Sequence, residues 1–255
     1  MSVRVGINGF GRMGRLGLRA GWDKPDYSLV QLNEVATDAA SSALLLKFDS
    51  VHGTWPHDTG AEDGKLRVND RLLAYSQHKA IDETDWSGCD IVIEATGVHH
   101  KHPETLEAYF AQGVKKVIVA APTEGALNIV YGVNDHDYDP QQHHLLTAAS
   151  CTTNCLAPVV KVMHEQVGIV HGCMTTIHDI TNTQTIDDKG RNELHLPHAY
   201  GQSQISTRTG STNAIPMIFL ELNGKPNDPA VRVPLQHGPR TTLAYTAVRS
   251  RYTEP

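Results

Sequence analysis

With 255 residues, 40% of them hydrophobic and 20% charged, the chain has apolar surface enough for one large domain or two smaller ones, which excludes disordered and fibrous classes. No apolar run approaches the eighteen or so residues of a membrane span, and MSVRVGINGF enters a strand pattern without a basic-then-apolar leader, so a soluble, cytoplasmic protein is expected. A net charge of −6 without a basic block argues against a nucleic-acid partner, and four cysteines (Cys89, Cys151, Cys155, Cys173) with no CxxC spacing fit a reducing compartment.

Taken in chain order, VRVGIN reads as a β-branched strand, GRLGLRAGW has the apolar spacing of a helix, and YSLVQLNE is a second strand ending in a carboxylate. That is one βαβ unit. LRVNDRLLAY predicts a hairpin about Asn69 and Asp70, an antiparallel insertion. DIVIEATG, PETLEAYFAQG and KKVIVAAP then give strand, helix and strand, followed by strand candidates LNIVYGVN and HHLLTAAS. The alternation predicts an α/β chain: a doubly wound, mostly parallel sheet over residues 1–150, and a second domain over 151–255.

Inside the first unit, NGFGRMG spells G-x-G-x-x-G with Gly9, Gly11 and Gly14, and about twenty residues on lies Glu34. The pattern alone is weak, but here it follows a strand and opens a helix, the context a dinucleotide fingerprint requires. Gly9 permits the turn, Gly11 lets backbone approach a pyrophosphate, and Gly14 allows helix and strand to pack closely. Glu34 can accept from a ribose 2′-hydroxyl and would repel a 2′-phosphate, so NAD is expected over NADP.

SCTTNCLAPVVKVMHEQVG is the next helix candidate, with Ser150 as its N-cap and Cys151 in the first turn, where the helix dipole favours thiolate. Cys155 falls on the same face and reads as a packed thiol or a redox neighbour. HGCMTTIHDITNTQT is a β-branched strand delivering His178, a candidate base for a Cys151 nucleophile. The histidines of VHHKHP (His99, His100, His102) and QQHH (His143, His144) read as solvated turns, and no metal site is expected. NDHDYDP lacks the central Gly and terminal Glu of a calcium loop and reads as a turn.

VGINGFGRMGR, VIEATGV, ASCTTNCLAPVVKV, MTTIHDITNTQT, ELNGK and VRVP, in that order, resemble the glyceraldehyde-3-phosphate dehydrogenase family from residue 3 to about 250; TIHDITNTQT leans toward its arsenate-resistance paralogue. The resemblance implies NAD-dependent oxidation of glyceraldehyde 3-phosphate through a Cys151 thioester, with His178 taking the hydroxyl proton and the Cys151 N–H helping to hold the oxyanion. Phosphate, or arsenate as its near isostere, would cleave the thioester. Asn8, Phe10, Arg12, Met13, Thr96 and Gly97 fall on cofactor-lining positions. Thr181 and Arg232 fall on the substrate-phosphate pocket, and Ser150, Thr152, Thr209 and Gly210 on the attacking-anion pocket. Relatives continue with further substrate-domain strands and a terminal helix, so the second domain is expected to be an incomplete α+β fold, and a non-catalytic NAD-binding protein is the alternative reading. The family's homotetramer is put in question where His195 and His198 replace interface arginines. Asn213 likewise replaces a lysine, and Gln77 an adenine-facing arginine.

Overall fold

The computed structural model describes residues 2–180, 205–207, 226–227, 230–233 and 240–247. It divides into two compact units, 1–129 with 137–149 and 130–136 with 150–255. Among the described residues no helix is long and apolar enough to cross a membrane.

The first unit opens with β1 (Val3–Asn8), α1 (Arg12–Gly21) and β2 (Tyr27–Asn33), the expected βαβ unit. Next come α2 (Ala39–Lys47) and a tight pair, β3 (Phe48–Asp49) with β4 (Gly53–Thr54). A meander follows, β5 (Thr59–Glu62), β6 (Lys65–Val68) and β7 (Arg71–Ser76), whose second turn is the Asn69–Asp70 hairpin read from the sequence. Asn69 sits at φ 51°, in the left-handed region that such a turn uses and Asn tolerates. Then β8 (Ile91–Glu94), β9 (Lys116–Val119), β10 (Leu127–Asn128) and β11 (Leu145–Thr147) complete a nine-stranded sheet of order β10-β11-β9-β8-β1-β2-β7-β6-β5.

Strands β7, β2, β1, β8, β9 and β11 run parallel, in the order third, second, first, fourth, fifth, sixth of their own series. That is the doubly wound Rossmann order, and its direction reverses between β1 and β8. Parallel strands must be covered on both faces. One cover is the cluster of Val5, Ile7, Leu18, Leu32, Leu46 and Trp55, involving α1 and α2; the other is Trp86, Val92, Leu106, Tyr109 and Val117.

Two sequence expectations change. The helix expected over PETLEAYFAQG is a 3-10 turn, Pro103–Leu106, followed by one α turn, α3 (Glu107–Phe110). LNIVYGVN gives strand only at Leu127–Asn128: Gly132 takes φ 78°, and the Asn134 side chain accepts from the Val130 N–H at 2.8 Å, closing a turn where pairing would have continued.

The second unit is led by α4 (Cys151–Gln166), packed on β12 (Ile169–His178) and β16 (Arg240–Ala247), with the Tyr245 hydroxyl 3.5 Å from the Met163 sulfur. β12 is central: β16 pairs with it antiparallel on one side, and β14 (Pro226–Asn227) and β15 (Ala230–Arg232) pair with it parallel on the other. β13 (Ile205–Thr207) closes that edge against β15.

A Cβ on Gly14 would lie 2.1 Å from the Gly9 carbonyl oxygen, so α1 can approach its loop only without a side chain there. Gly14→Ala is expected to cost about 1–3 kcal/mol through forced backbone movement. All three tryptophans, Trp22, Trp55 and Trp86, lie in the first unit, so a urea melt followed by their fluorescence reads that loss directly.

Candidate active site

The glycine loop is built as its spacing requires. Gly9 has φ 88°, and a Cβ there would sit 2.5 Å from Ala95 and Thr96 backbone, so a side chain is refused on two grounds. Its N–H donates to the Asn33 carbonyl at 2.9 Å, tying the loop to β2. Gly11 is the N-cap of α1 with no side-chain cap and no acidic residue in the first turn. Nothing lies within 4 Å of where a Gly11 Cβ would be. An uncapped, uncrowded helix start is what a pyrophosphate needs, and the residues present fit that group.

Glu34 follows β2, and its carboxylate is already engaged: one oxygen accepts from the Phe10 N–H at 2.7 Å, the other from the Ala36 N–H at 2.8 Å. It therefore braces the loop, and each oxygen keeps a lone pair for a ribose hydroxyl. The other predicted cofactor residues divide by exposure. Met13 is exposed, whereas the Phe10 ring is buried in the core, so Phe10 offers a ligand only its backbone. Arg12 Nη1 is 2.8 Å from Asp49 Oδ2. Burial alone would raise that carboxyl, but the His52 and Val51 N–H groups and Arg12 outweigh it and hold Asp49 at about 2. Asn8 is buried, Thr96 bonds to Glu94, and Gly97 turns at φ 72°.

In the second unit Ser150 is the N-cap of α4, as its residue type predicts: its hydroxyl accepts from the Thr153 N–H at 3.1 Å and lies 2.7 Å from Thr153 Oγ1. Cys151 is therefore the first residue of a sixteen-residue helix, exposed, with its sulfur 4.0 Å from Thr152 Oγ1 and no carboxylate in the first turn. The sulfur thus stands at the positive end of the helix dipole with no acidic residue in that turn. Thr152 itself is buried. Ala149, just before the cap, is held at φ 56°, a conformation an alanine adopts only at a cost of order 1–2 kcal/mol. Cys155 is exposed, which corrects the expectation of a packed thiol: one helical turn from Cys151, it shares that residue's outward face. Cys89 is the packed one, and burial pushes its thiol up to about 11.

His178 closes β12, buried, in parallel register with Arg232 on β15. Burial, then the Arg232 charge, lower its pKa against the opposing Asp179, so the ring is neutral at pH 7 and for some way below the ordinary histidine value of about 6.5. Arg232 Nη1 donates to the Asp179 carbonyl at 2.9 Å, and its Nε is buried without a partner among the described residues. This guanidinium next to the base had no local sequence signal, since only strand pairing joins residues so far apart. Thr181, Thr209, Gly210, His195, His198 and Asn213 lie outside the described residues.

A doubly wound unit with an uncapped glycine loop, in one chain with a unit carrying an exposed thiol at a helix start and a buried histidine, has the composition of a nicotinamide-dependent dehydrogenase. Residues 3–102 match the family described as glyceraldehyde 3-phosphate dehydrogenase, NAD binding domain, and residues 150–254 match its C-terminal domain. The chain is 52% identical to glyceraldehyde-3-phosphate dehydrogenase 3 of Nostoc sp. over all of its own length and 76% of the relative's. It is 44% identical to the glyceraldehyde-3-phosphate dehydrogenase of Geobacillus stearothermophilus, over 92% of this chain and 70% of that one. The cytosolic enzyme of Gracilaria gracilis is 43% identical over 91% of this chain and 69% of its own. The chain belongs to the glyceraldehyde-3-phosphate dehydrogenase family, and NAD is its dinucleotide.

Because a Cβ on Gly11 meets no protein atom, Gly11→Ala is expected to fold and melt like the wild type. A cofactor phosphate seated on this helix start would meet that Cβ. NAD titration by calorimetry should show affinity weakened about tenfold or more, an energy of about 1.4 kcal/mol for each factor of ten.

Proposed function

We propose that this chain oxidises glyceraldehyde 3-phosphate with NAD, forming an acyl phosphate by way of a thioester on Cys151. One observation carries the proposal: an exposed thiol on the first residue of a capped sixteen-residue helix, in the same unit as a buried histidine kept neutral by its surroundings. The first unit serves as the cofactor domain, with Asn8, Gly9, Phe10, Gly11, Arg12, Met13, Glu34, Thr96 and Gly97 shaping the dinucleotide site. The second is the catalytic domain.

In this reading Cys151 thiolate attacks the aldehyde carbon, forming a C–S bond and turning the carbonyl oxygen into an oxyanion. The Cys151 N–H, one of the helix-start donors with no intrahelical acceptor, and His178 stabilise that charge. The oxyanion takes up a proton from solvent to become the thiohemiacetal hydroxyl, which then gives that proton to neutral His178 as the carbon loses hydride, leaving a thioester. Bound NAD supplies the hydride acceptor. Inorganic phosphate, or arsenate on the same chemistry, attacks the acyl carbon, the C–S bond breaks, and Cys151 leaves as thiolate. Arg232 with Thr181 would hold the substrate phosphate; Ser150, Thr152, Thr209 and Gly210 would hold the attacking anion, hydroxyl and amide donors around one cation being suited to phosphate. Four cysteines that are all free suit a reducing compartment, and we place the protein in the cytoplasm.

Two measurements test this reading. Cys151→Ser should abolish NADH formation while NAD still binds with wild-type affinity; retained turnover would remove Cys151 from the mechanism. With the His178 pKa lowered, the acid limb of kcat/KM should fall below the ordinary histidine value of about 6.5, since activity is lost only once the buried ring protonates. Arg232→Gln removes the neighbouring charge and should move that limb upward. A limb unmoved by this change would assign it to another group.

A further inference from the structure

VIEATG holds a buried carboxylate for which the mechanism above has no use. Glu94 ends β8, is 2% exposed, and stands directly beside Asn8, the last residue of β1, in the parallel register of the two strands where the sheet order reverses. Open α/β sheets bind ligands just beyond the strand ends at such a reversal. The carboxylate collects four donors. Oε2 accepts from Asn8 Nδ2 at 3.1 Å and from the Tyr109 hydroxyl at 2.6 Å. Oε1 accepts from the Thr96 N–H at 2.9 Å and from the Thr96 hydroxyl. No basic side chain among the described residues pairs with it.

Each donor leads to a different part of the cofactor end of the sheet. Asn8 immediately precedes Gly9, and its Oδ1 accepts from Asn33 Nδ2 at 2.8 Å, carrying the connection to β2. Thr96 immediately precedes Gly97 and is the backbone on which the Gly9 turn rests. Tyr109, fully buried on α3, is held protonated by burial and by Glu94, so it remains a donor across the working pH range.

We infer that Glu94 is a positioning residue for dinucleotide binding, clamping the Asn8–Gly11 and Thr96–Gly97 loops together so that their backbones are pre-set for the cofactor. The inference rests on those two loops facing NAD. A carboxylate is required because all four partners donate toward it, and a glutamine at this site presents an NH2 to one pair of them. Whichever way that amide turns, two of the four bonds lose their original acceptor, and Thr96 or Asn8 is released. Pre-organisation lost in this way is charged to binding, while the reacting groups of the second unit are untouched.

The test is NAD titration by calorimetry on Glu94→Gln and Tyr109→Phe in the full chain, beside Gly11→Ala, with thermal melts and steady-state kinetics on the same preparations. Glu94→Gln should raise the Kd and KM for NAD about tenfold, equivalent to about 1.4 kcal/mol, with kcat at saturating NAD and KM for the aldehyde within about twofold of wild type. Tyr109→Phe, which removes one donor and leaves the charge, should weaken NAD about threefold, and it decides the matter if Glu94→Gln does not fold. A variant that melts lower yet binds NAD with wild-type Kd makes Glu94 a packing residue and overturns the inference. Were Gly11→Ala also to bind NAD normally, the placement of the loop against the cofactor would be what had failed, and the inference would fall with it.

Discussion

The reversal of strand order between β1 and β8 is the constraint on which the cofactor half depends. It sets Asn8 and Glu94 side by side at the carboxyl ends of two parallel strands, with Asn33 of β2 hydrogen-bonded to Asn8. A carboxylate cannot be buried there without donors, and three of the four, from Asn8 and Thr96, belong to the chain segments that turn out of the sheet, with Tyr109 of α3 the fourth. Burying one charge therefore shapes two loops. The same economy appears at Glu34, which spends both oxygens on the Phe10 and Ala36 N–H groups and so braces the glycine turn from the other side.

The second unit sets an exposed thiol and a buried histidine in different electrostatic surroundings. Cys151 gains from a helix start whose cap is a serine hydroxyl instead of a carboxylate, so the dipole is left unneutralised next to the sulfur. His178 is pushed toward its neutral form by burial and by the guanidinium in register with it. Arg232 has two neighbours in this scheme, the base and, as proposed, the substrate phosphate, and phosphate binding would offset the charge that lowers the histidine.

Much of this was legible in the chain itself. The first βαβ unit, the glycine spacing, the Asn69 hairpin and the Ser150 cap are local, and each uses residues whose conformational preferences agree with the fold. α2 was missed because AASSALLLK runs its leucines together and leaves Leu44 and Leu45 exposed, so no helical period stands out; the Asp38 side chain accepting from the Ser41 N–H was the available signal. LNIVYGVN failed as a long strand because the Gly132 turn and the Asn134 side chain overrode its β-branched content. Of the two readings of Cys155, the packed thiol fails because the helix presents one turn of its face outward. The Glu94 clamp and the His178–Arg232 pair were beyond local reading altogether, since both exist only through the register of strands distant in sequence.

The central claim, that oxidation and acyl transfer are separated by a covalent stop at Cys151, is tested most directly by mixing protein with NAD and glyceraldehyde 3-phosphate in the absence of phosphate and arsenate. A rapid burst of NADH absorbance of about one equivalent per folded chain is expected, with the acyl mass on the peptide containing Cys151, and turnover only after the anion is added. Steady NADH production without any acceptor anion, or a burst with no mass on Cys151, would contradict it.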